Sequence, residues 1–219
     1  MAKLADSRPR LWIIAGPNGS GKSSAYGRGD VLGLDGSVWI INPDLLTARL
    51  QEAENLKLLD ANLAAVQRIE KWLDASIETH QTIGVETVLS SPKYRRLVEK
   101  AKAHGFEVCF VYVYLQNVEM QLKRIAARVA KGGHDVPPDK VRERRKRSFA
   151  QMPWFFANAE RAWIFDNSGE HPRLVAERSL EENVGLNFDI DLLDQDLVHG
   201  LWEEMFPKGH PMRGSRRSN

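Results

Sequence analysis

Short apolar runs alternate along the chain with longer stretches of helical periodicity. Residues 11–15, LWIIA, have the length and side-chain type of a buried strand. Residues 26–37, YGRGDVLGLDGS, are rich in glycine and aspartate and read as a surface loop before a second strand at 38–41. Asn42-Pro43-Asp44 closes that strand and opens a helix, with Asn42 as N-cap and Pro43 at the first helical position. Leu45, Leu46 and Leu50, and then Leu56, Leu58 and Leu59, are expected to pack helices there, and a helix over 61–79 uses Leu63, Val66, Ile69 and Leu73 as its apolar stripe. A third strand at 82–89 carries the polar pair Glu86-Thr87 near its C-terminal end. The next helix starts at Ser91-Pro92 and stops near His104-Gly105, where glycine supplies the C-terminal stop.

Residues 106–115 form the most apolar stretch and are predicted to be a central strand covered on both faces. A helix over 117–130 places Val118, Leu122, Ile125 and Val129 on one face and Arg124 and Arg128 on another. Residues 131–138, KGGHDVPP, cannot continue a helix and read as a hinged loop, and a basic helix follows over 139–152. Strands at 161–166 and 173–176 flank the turn Asn167-Ser168-Gly169-Glu170. A closing helix spans about 190–206 and 208–219 form a basic, disordered tail. This alternation predicts an α/β fold, a mostly parallel sheet with helices on both faces. One domain over 1–207 is expected, with its core at 11–178.

The chemistry centres on GPNGSGKSS, residues 16–24, which match the phosphate-binding P-loop G-x-x-x-x-G-K-[ST] between a strand and a helix start. Glycines at 16, 19 and 21 let the backbone turn tightly enough for successive N–H groups to face a triphosphate; Asn18, Ser20 and Ser24 belong to the same cradle. Lys22 can set a compact positive charge between the β- and γ-phosphates of ATP, and the Ser23 hydroxyl can ligate Mg²⁺. The fold class is therefore a P-loop NTPase. Ligands of such sheets bind at the C-terminal strand edge, so the P-loop, Asp44 and Glu86-Thr87 are expected to converge on one cleft.

Composition narrows the setting. A net charge of +2 is too small to argue for nucleic acid or a membrane as the main partner. The single cysteine, Cys109, lies in an apolar run and excludes an intrachain disulfide. The N-terminus lacks an apolar core of signal-peptide length and no run approaches the ~20 residues that span a bilayer, so a cytoplasmic protein is expected.

Among P-loop chemistries, the strand at 106–115 ends in Gln116-Asn117 rather than an acidic pair, and neither an LSGGQ-like nor an NKxD motif is present. These absences count against motors, transporter ATPases and GTPases, and leave a small phosphotransferase with an arginine-bearing lid. Its loose, negatively charged transition state needs positioning and cations. Arg128 directly precedes the glycine loop, and one of Arg144 and Arg145 shares the inward face of the following helix with Val141, Ser148 and Met152. The plain alternative for RERRKR is a solvated helix face or a nucleic-acid patch. Asp44 can accept a substrate hydroxyl proton or can simply favour the helix N-terminus. Glu86 can contact substrate or Mg²⁺, or pair with a lid arginine, and Thr87 can contact substrate or serve as a plain β-former.

The set GPNGSGKSS, INPD, VETVLS, the arginine-flanked GGHDVP segment at 128–137 and FDNS at 165–168 resembles the zeta-toxin family of P-loop kinases over about residues 11–178. The resemblance implies ATP-dependent phosphorylation of a hydroxyl on a sugar nucleotide such as UDP-N-acetylglucosamine, with an antitoxin as protein partner. It implies Lys22 and Ser23 for ATP and Mg²⁺, Asp44 as base, Glu86 and Thr87 near the acceptor, and Arg128 with Arg144 as charge stabilisers. Asn167 is carried over as a neighbour of the adenine. The GGHDVP lid and the VETVLS segment depart from toxins with that activity, so the acceptor can differ. A polynucleotide or nucleoside kinase, and a regulatory module that binds ATP without transfer, are the competing readings.

Overall fold

The computed structural model describes residues 8–23, 38–133, 135–179, 187–188 and 195–205. The predicted loop at 26–37, Ser24, His134, the 190–194 part of the closing helix and the basic tail lie outside these residues. Strands β1 (Arg10–Ala15), β2 (Ile40–Ile41), β3 (Ile83–Thr87), β4 (Glu107–Tyr114), β5 (Arg161–Asp166), β6 (Arg173–Ser179) and β7 (Asn187–Phe188) form one sheet in the order β2-β3-β1-β4-β5-β6-β7. The first five run parallel, and β6 and β7 add antiparallel strands at one edge. This is the mostly parallel, helix-flanked α/β sheet of a P-loop fold.

The helices are α1 (Pro43–Glu54), α2 (Leu58–Glu78), α3 (Arg95–Ala103), α4 (Val118–Val129), α5 (Pro138–Asn158) and α6 (Gln195–Met205). Two of these starts, those of α1 and α4, are capped by asparagine. The Asn42 side chain accepts hydrogen bonds from the N–H groups of Asp44 and Leu45, and Asn117 accepts from Met120. Both satisfy donors that a helix leaves without partners.

Alternation along the strands sorts the core into two faces. Leu11, Ile13, Phe110 and Tyr112 meet Ile69, Leu73 and Ile77 of α2 and Phe149, Met152, Phe155 and Phe156 of α5. Trp12, Ile14, Cys109, Val111 and Trp163 fill the opposite face, where the Trp12 and Trp163 rings stack 6.0 Å apart. All eight residues of β4 are buried, as the apolarity of residues 108–114 predicts, and Glu107 at its start accepts a hydrogen bond from Arg10 Nε.

Some helical expectations change. Leu63 is exposed, and α2 instead buries Ala61, Ala65, Ile69, Leu73, Ser76 and Ile77. Small residues at 61 and 65 let α2 approach Leu50 of α1 closely. Leu45, Leu58 and Leu59 are likewise exposed. The basic helix continues past 152 to Asn158 and passes through Pro153, because Phe155 and Phe156 on its last turns are buried against the sheet.

Candidate active site

The parallel register brings the C-terminal end of β1 level with that of β3: Ala15 pairs with Thr87, and Gly16 N–H donates to the Thr87 carbonyl at 3.2 Å. The chain then turns through residues 16–21 and enters a helix at Lys22-Ser23. Gly16, at φ 144°, lies so close to β4 that a Cβ there would run into the Val113 carbonyl oxygen. Backbone space, as well as flexibility, thus demands glycine at this position.

Lys22 is buried, and its Nζ donates to the carbonyls of Gly16 at 2.8 Å and Pro17 at 3.2 Å, folding the side chain back over the turn. Burial pulls its pKa below the ordinary lysine value; the Glu86 and Asp44 carboxylates oppose that shift, and Arg128 adds to it. Four predicted site residues from four segments therefore share one electrostatic environment. Glu86 Oε1 lies 3.9 Å from Lys22 Nζ, and Glu86 Oε2 accepts a 3.0 Å hydrogen bond from the Ser23 hydroxyl. Asn18 Oδ1 and Ser20 Oγ are buried with no hydrogen-bond partner among the described residues. Among the described residues the turn thus holds a buried acceptor and a buried hydroxyl that no protein group satisfies.

Asp44 is exposed on the first turn of α1, held there by its N–H bond to the Asn42 side chain. The Thr87 hydroxyl is turned into its own loop, accepting from the N–H of Leu89, a buried residue at φ 59°. Its hydroxyl thereby supports a left-handed turn that leucine rarely adopts. Arg128, exposed at the end of α4, packs its Cγ so closely against Gly133 that a Cβ at Gly133 would collide with it.

On α5 the structure separates the two candidate arginines. Arg145 turns inward, donating to the carbonyls of Leu115 (2.7 Å) and Gln116 (3.0 Å), while Arg144 stays half-buried on the helix surface. Most of the remaining RERRKR charge is matched: Arg142 pairs with Glu119 and Arg147 with Glu143. Such paired cations make a poor phosphate-tracking stripe. Asn167 is almost fully buried, and its side-chain amide is committed to the Ser20 carbonyl at 2.8 Å.

Two residues here have no role in the sequence reading. Gln121 is completely buried and donates to the Asn18 carbonyl; its signal was a polar side chain on the same face of α4 as Val118 and Ile125. Arg124 donates to the Asn167 carbonyl and lies beside Gly21. Its position one turn before Arg128 marked the face but not the contact. Among the described residues no group of three or more His, Cys, Asp or Glu side chains gathers as a metal site, and no helix is long and apolar enough to cross a membrane.

A parallel sheet, a glycine turn wrapped by a buried lysine, and an acidic residue at the neighbouring strand end define a P-loop protein of kinase-like fold. Residues 11–152 match the family model described as AAA domain, AAA_33, and the chain belongs to that family. An uncharacterized protein of Haemophilus influenzae (strain ATCC 51907 / DSM 11121 / KW20 / Rd) is 29% identical over 144 residues, 63% of this chain and 98% of its own length. Among solved structures, one from the PezAT chromosomal toxin-antitoxin system of Streptococcus pneumoniae matches with a TM-score of 0.60 and 15% identity, covering 95% of this chain and 83% of that one. The AvrRxo1-ORF1:-ORF2 structure with ATP matches at TM-score 0.65 and 16% identity, over 94% of this chain and 66% of that one. At such identities the likeness is one of fold.

Proposed function

We propose that this protein is an ATP-dependent phosphotransferase of the zeta-toxin type, which moves the γ-phosphate of ATP to a hydroxyl of a sugar nucleotide resembling UDP-N-acetylglucosamine. The observation that carries this reading is the convergence on Lys22: its buried nitrogen lies 3.9 Å from Glu86 and within the fields of Asp44 and Arg128. A site that only binds nucleotide has no need of a second carboxylate and an arginine arranged around the phosphate lysine. The likeness in fold to a toxin-antitoxin structure and to an ATP-containing one supports the same reading.

In this reading Lys22 leaves the Gly16 and Pro17 carbonyls to reach the β- and γ-phosphates, and Asn18 Oδ1 and Ser20 Oγ, buried without a partner among the described residues, belong to the same cradle. The Ser23 hydroxyl and the Glu86 carboxylate suit Mg²⁺, a hard cation that takes one or two protein oxygens and completes its shell with phosphates and water. When bound, the metal neutralises charge on the transferred group. Asp44 accepts the hydrogen bond of the acceptor hydroxyl and orients it in line. The new oxygen–phosphorus bond forms as the bond to the β,γ-bridging oxygen breaks; ADP departs with that electron pair and Asp44 receives the hydroxyl proton. Arg128 and Arg144 stabilise the equatorial charge, Glu86 and Thr87 border the acceptor, and Asn167 lies toward the adenine. An antitoxin partner belongs to the same proposal.

The test is transfer from γ-labelled ATP with Mg²⁺, using wild type and Asp44→Asn against UDP-N-acetylglucosamine, other nucleotide sugars, nucleosides and RNA ends. Label on a sugar nucleotide that is lost in the variant is the expected result. Label on RNA or nucleosides would replace this reading with a polynucleotide or nucleoside kinase. ATP binding with no product would leave a regulatory module.

A further inference from the structure

Two consecutive grips hold the P-loop from behind. Gln121 Nε2 donates to the Asn18 carbonyl at 3.0 Å, and Asn167 Nδ2 donates to the Ser20 carbonyl at 2.8 Å. In a planar trans peptide the C=O of one residue and the N–H of the next point in opposite directions. Holding the Asn18 and Ser20 oxygens outward therefore aims the N–H groups of Gly19 and Gly21 the other way, into the turn. Gly19 and Gly21 stand at φ 74° and 89°, a left-handed region in which only glycine readily allows these peptide orientations.

The Gln121 grip has a further anchor. Gln121 Oε1 accepts from Arg145 Nη1 at 3.1 Å, and the Arg145 guanidinium lies 4.1 Å from the centroid of the Phe149 ring while bonding the carbonyls of Leu115 and Gln116, just after β4. A glutamine amide can be rotated to present either its oxygen or its nitrogen. A guanidinium can only donate, so Arg145 captures the oxygen and leaves the nitrogen for Asn18. The hydrogen-bond chain thus runs from α5, the helix that follows the glycine loop, to the tip of the P-loop.

We propose that Gln121 and Arg145 are positioning residues for the triphosphate: Arg145 sets the orientation of the Gln121 amide, and Gln121 aims the Gly19 N–H at a bound phosphate. This inference rests on the reading that the P-loop binds ATP, and it gives Arg145 a role separate from the charge-stabilising one proposed for Arg144. Because Gln121 and Arg145 act in series, their effects on nucleotide affinity are expected to overlap rather than add.

The test is ATP binding to the full chain by calorimetry, with urea unfolding of the nucleotide-free protein alongside. Gln121→Glu keeps the shape and the Arg145 contact but turns an acceptor toward the Asn18 carbonyl; Arg145→Lys keeps charge and loses the fork. Each is expected to weaken ATP binding roughly 10-fold or more, with the KM for ATP rising further than kcat falls. In Gln121→Met the added Arg145→Met change should have little further effect on affinity. Wild-type affinity in folded Gln121→Glu and Arg145→Lys, or fully additive losses in the Met series, would overturn the inference while leaving the proposed function intact. A wild type that binds no ATP would overturn both.

Discussion

The Ser23 hydroxyl donates to Glu86 Oε2 across 3.0 Å, joining the start of the P-loop helix to the C-terminal end of β3. The bond places a carboxylate beside a hydroxyl at the edge of a phosphate cradle, a pairing suited to a divalent cation. Glu86→Gln preserves shape but lowers the charge offered to the metal. It is expected to reduce Mg²⁺-dependent transfer or Mg²⁺ affinity roughly 10–100-fold while metal-free ATP binding persists. A magnesium titration of turnover decides this; an unchanged curve would remove Glu86 from the metal site.

Lys22→Met is expected to abolish the stabilisation that ATP confers. For a wild type at 100 times its Kd that stabilisation is about 2.7 kcal/mol. Thermal unfolding with and without ATP measures it, and a full ATP-induced shift in the variant would exclude Lys22 as the phosphate ligand.

Gly16→Ala and Gly105→Ala separate backbone strain from steric overlap. Both glycines have positive φ, 144° and 77°, but a Cβ at Gly105 meets nothing whereas one at Gly16 strikes the Val113 carbonyl. Gly105→Ala should cost about 1–2 kcal/mol from conformation alone. Gly16→Ala should cost clearly more, read from urea unfolding midpoints.

Burial pushes the Cys109 thiol pKa upward; Glu107 adds to the shift, and Arg161 and Arg10 oppose it. Between the ordinary thiol value and the raised native one, an unfolded chain releases its proton and the folded chain retains it. This group's contribution to stability is therefore present below the ordinary value and is lost as pH rises through that alkaline window. Cys109→Ala should flatten this part of the stability–pH curve, and the native thiol should resist thiol reagents at pH 8 until urea unfolds the protein.

Asn42→Ala removes the acceptor for the N–H groups of Asp44 and Leu45. A loss of about 1 kcal/mol in unfolding free energy is expected. Because the cap also holds Asp44, transfer should fall further than stability alone explains; proportionate losses would separate the cap from catalysis.

Much of this was legible because it is local. The glycine spacing at 16, 19 and 21, the Asn42 cap and the apolar run at 106–115 are patterns within a few residues; all three glycines have positive φ, the cap forms, and a buried strand covers Glu107–Tyr114. Leu63 shows where local pattern stops. Its spacing fits an apolar stripe, yet α2 turns alanines at 61 and 65 toward α1 because close helix approach rewards small side chains. The RERRKR run likewise does not distinguish Arg144 from Arg145, since adjacent helical positions differ by only about 100°.

The amino-acid order by itself determined a phosphate cradle after a buried strand and the succession of strands and helices that carries it, because turn chemistry and side-chain period are short-range. Only the tertiary structure decided that Glu86 meets Ser23, that Arg145 rather than Arg144 turns inward, and that Gln121 and Asn167 hold the cradle from behind. Those contacts join residues separated by 30 to 147 positions. Their partners are chosen by sheet register and by the cost of leaving a buried polar group unpaired, conditions that apply only once the strands are side by side.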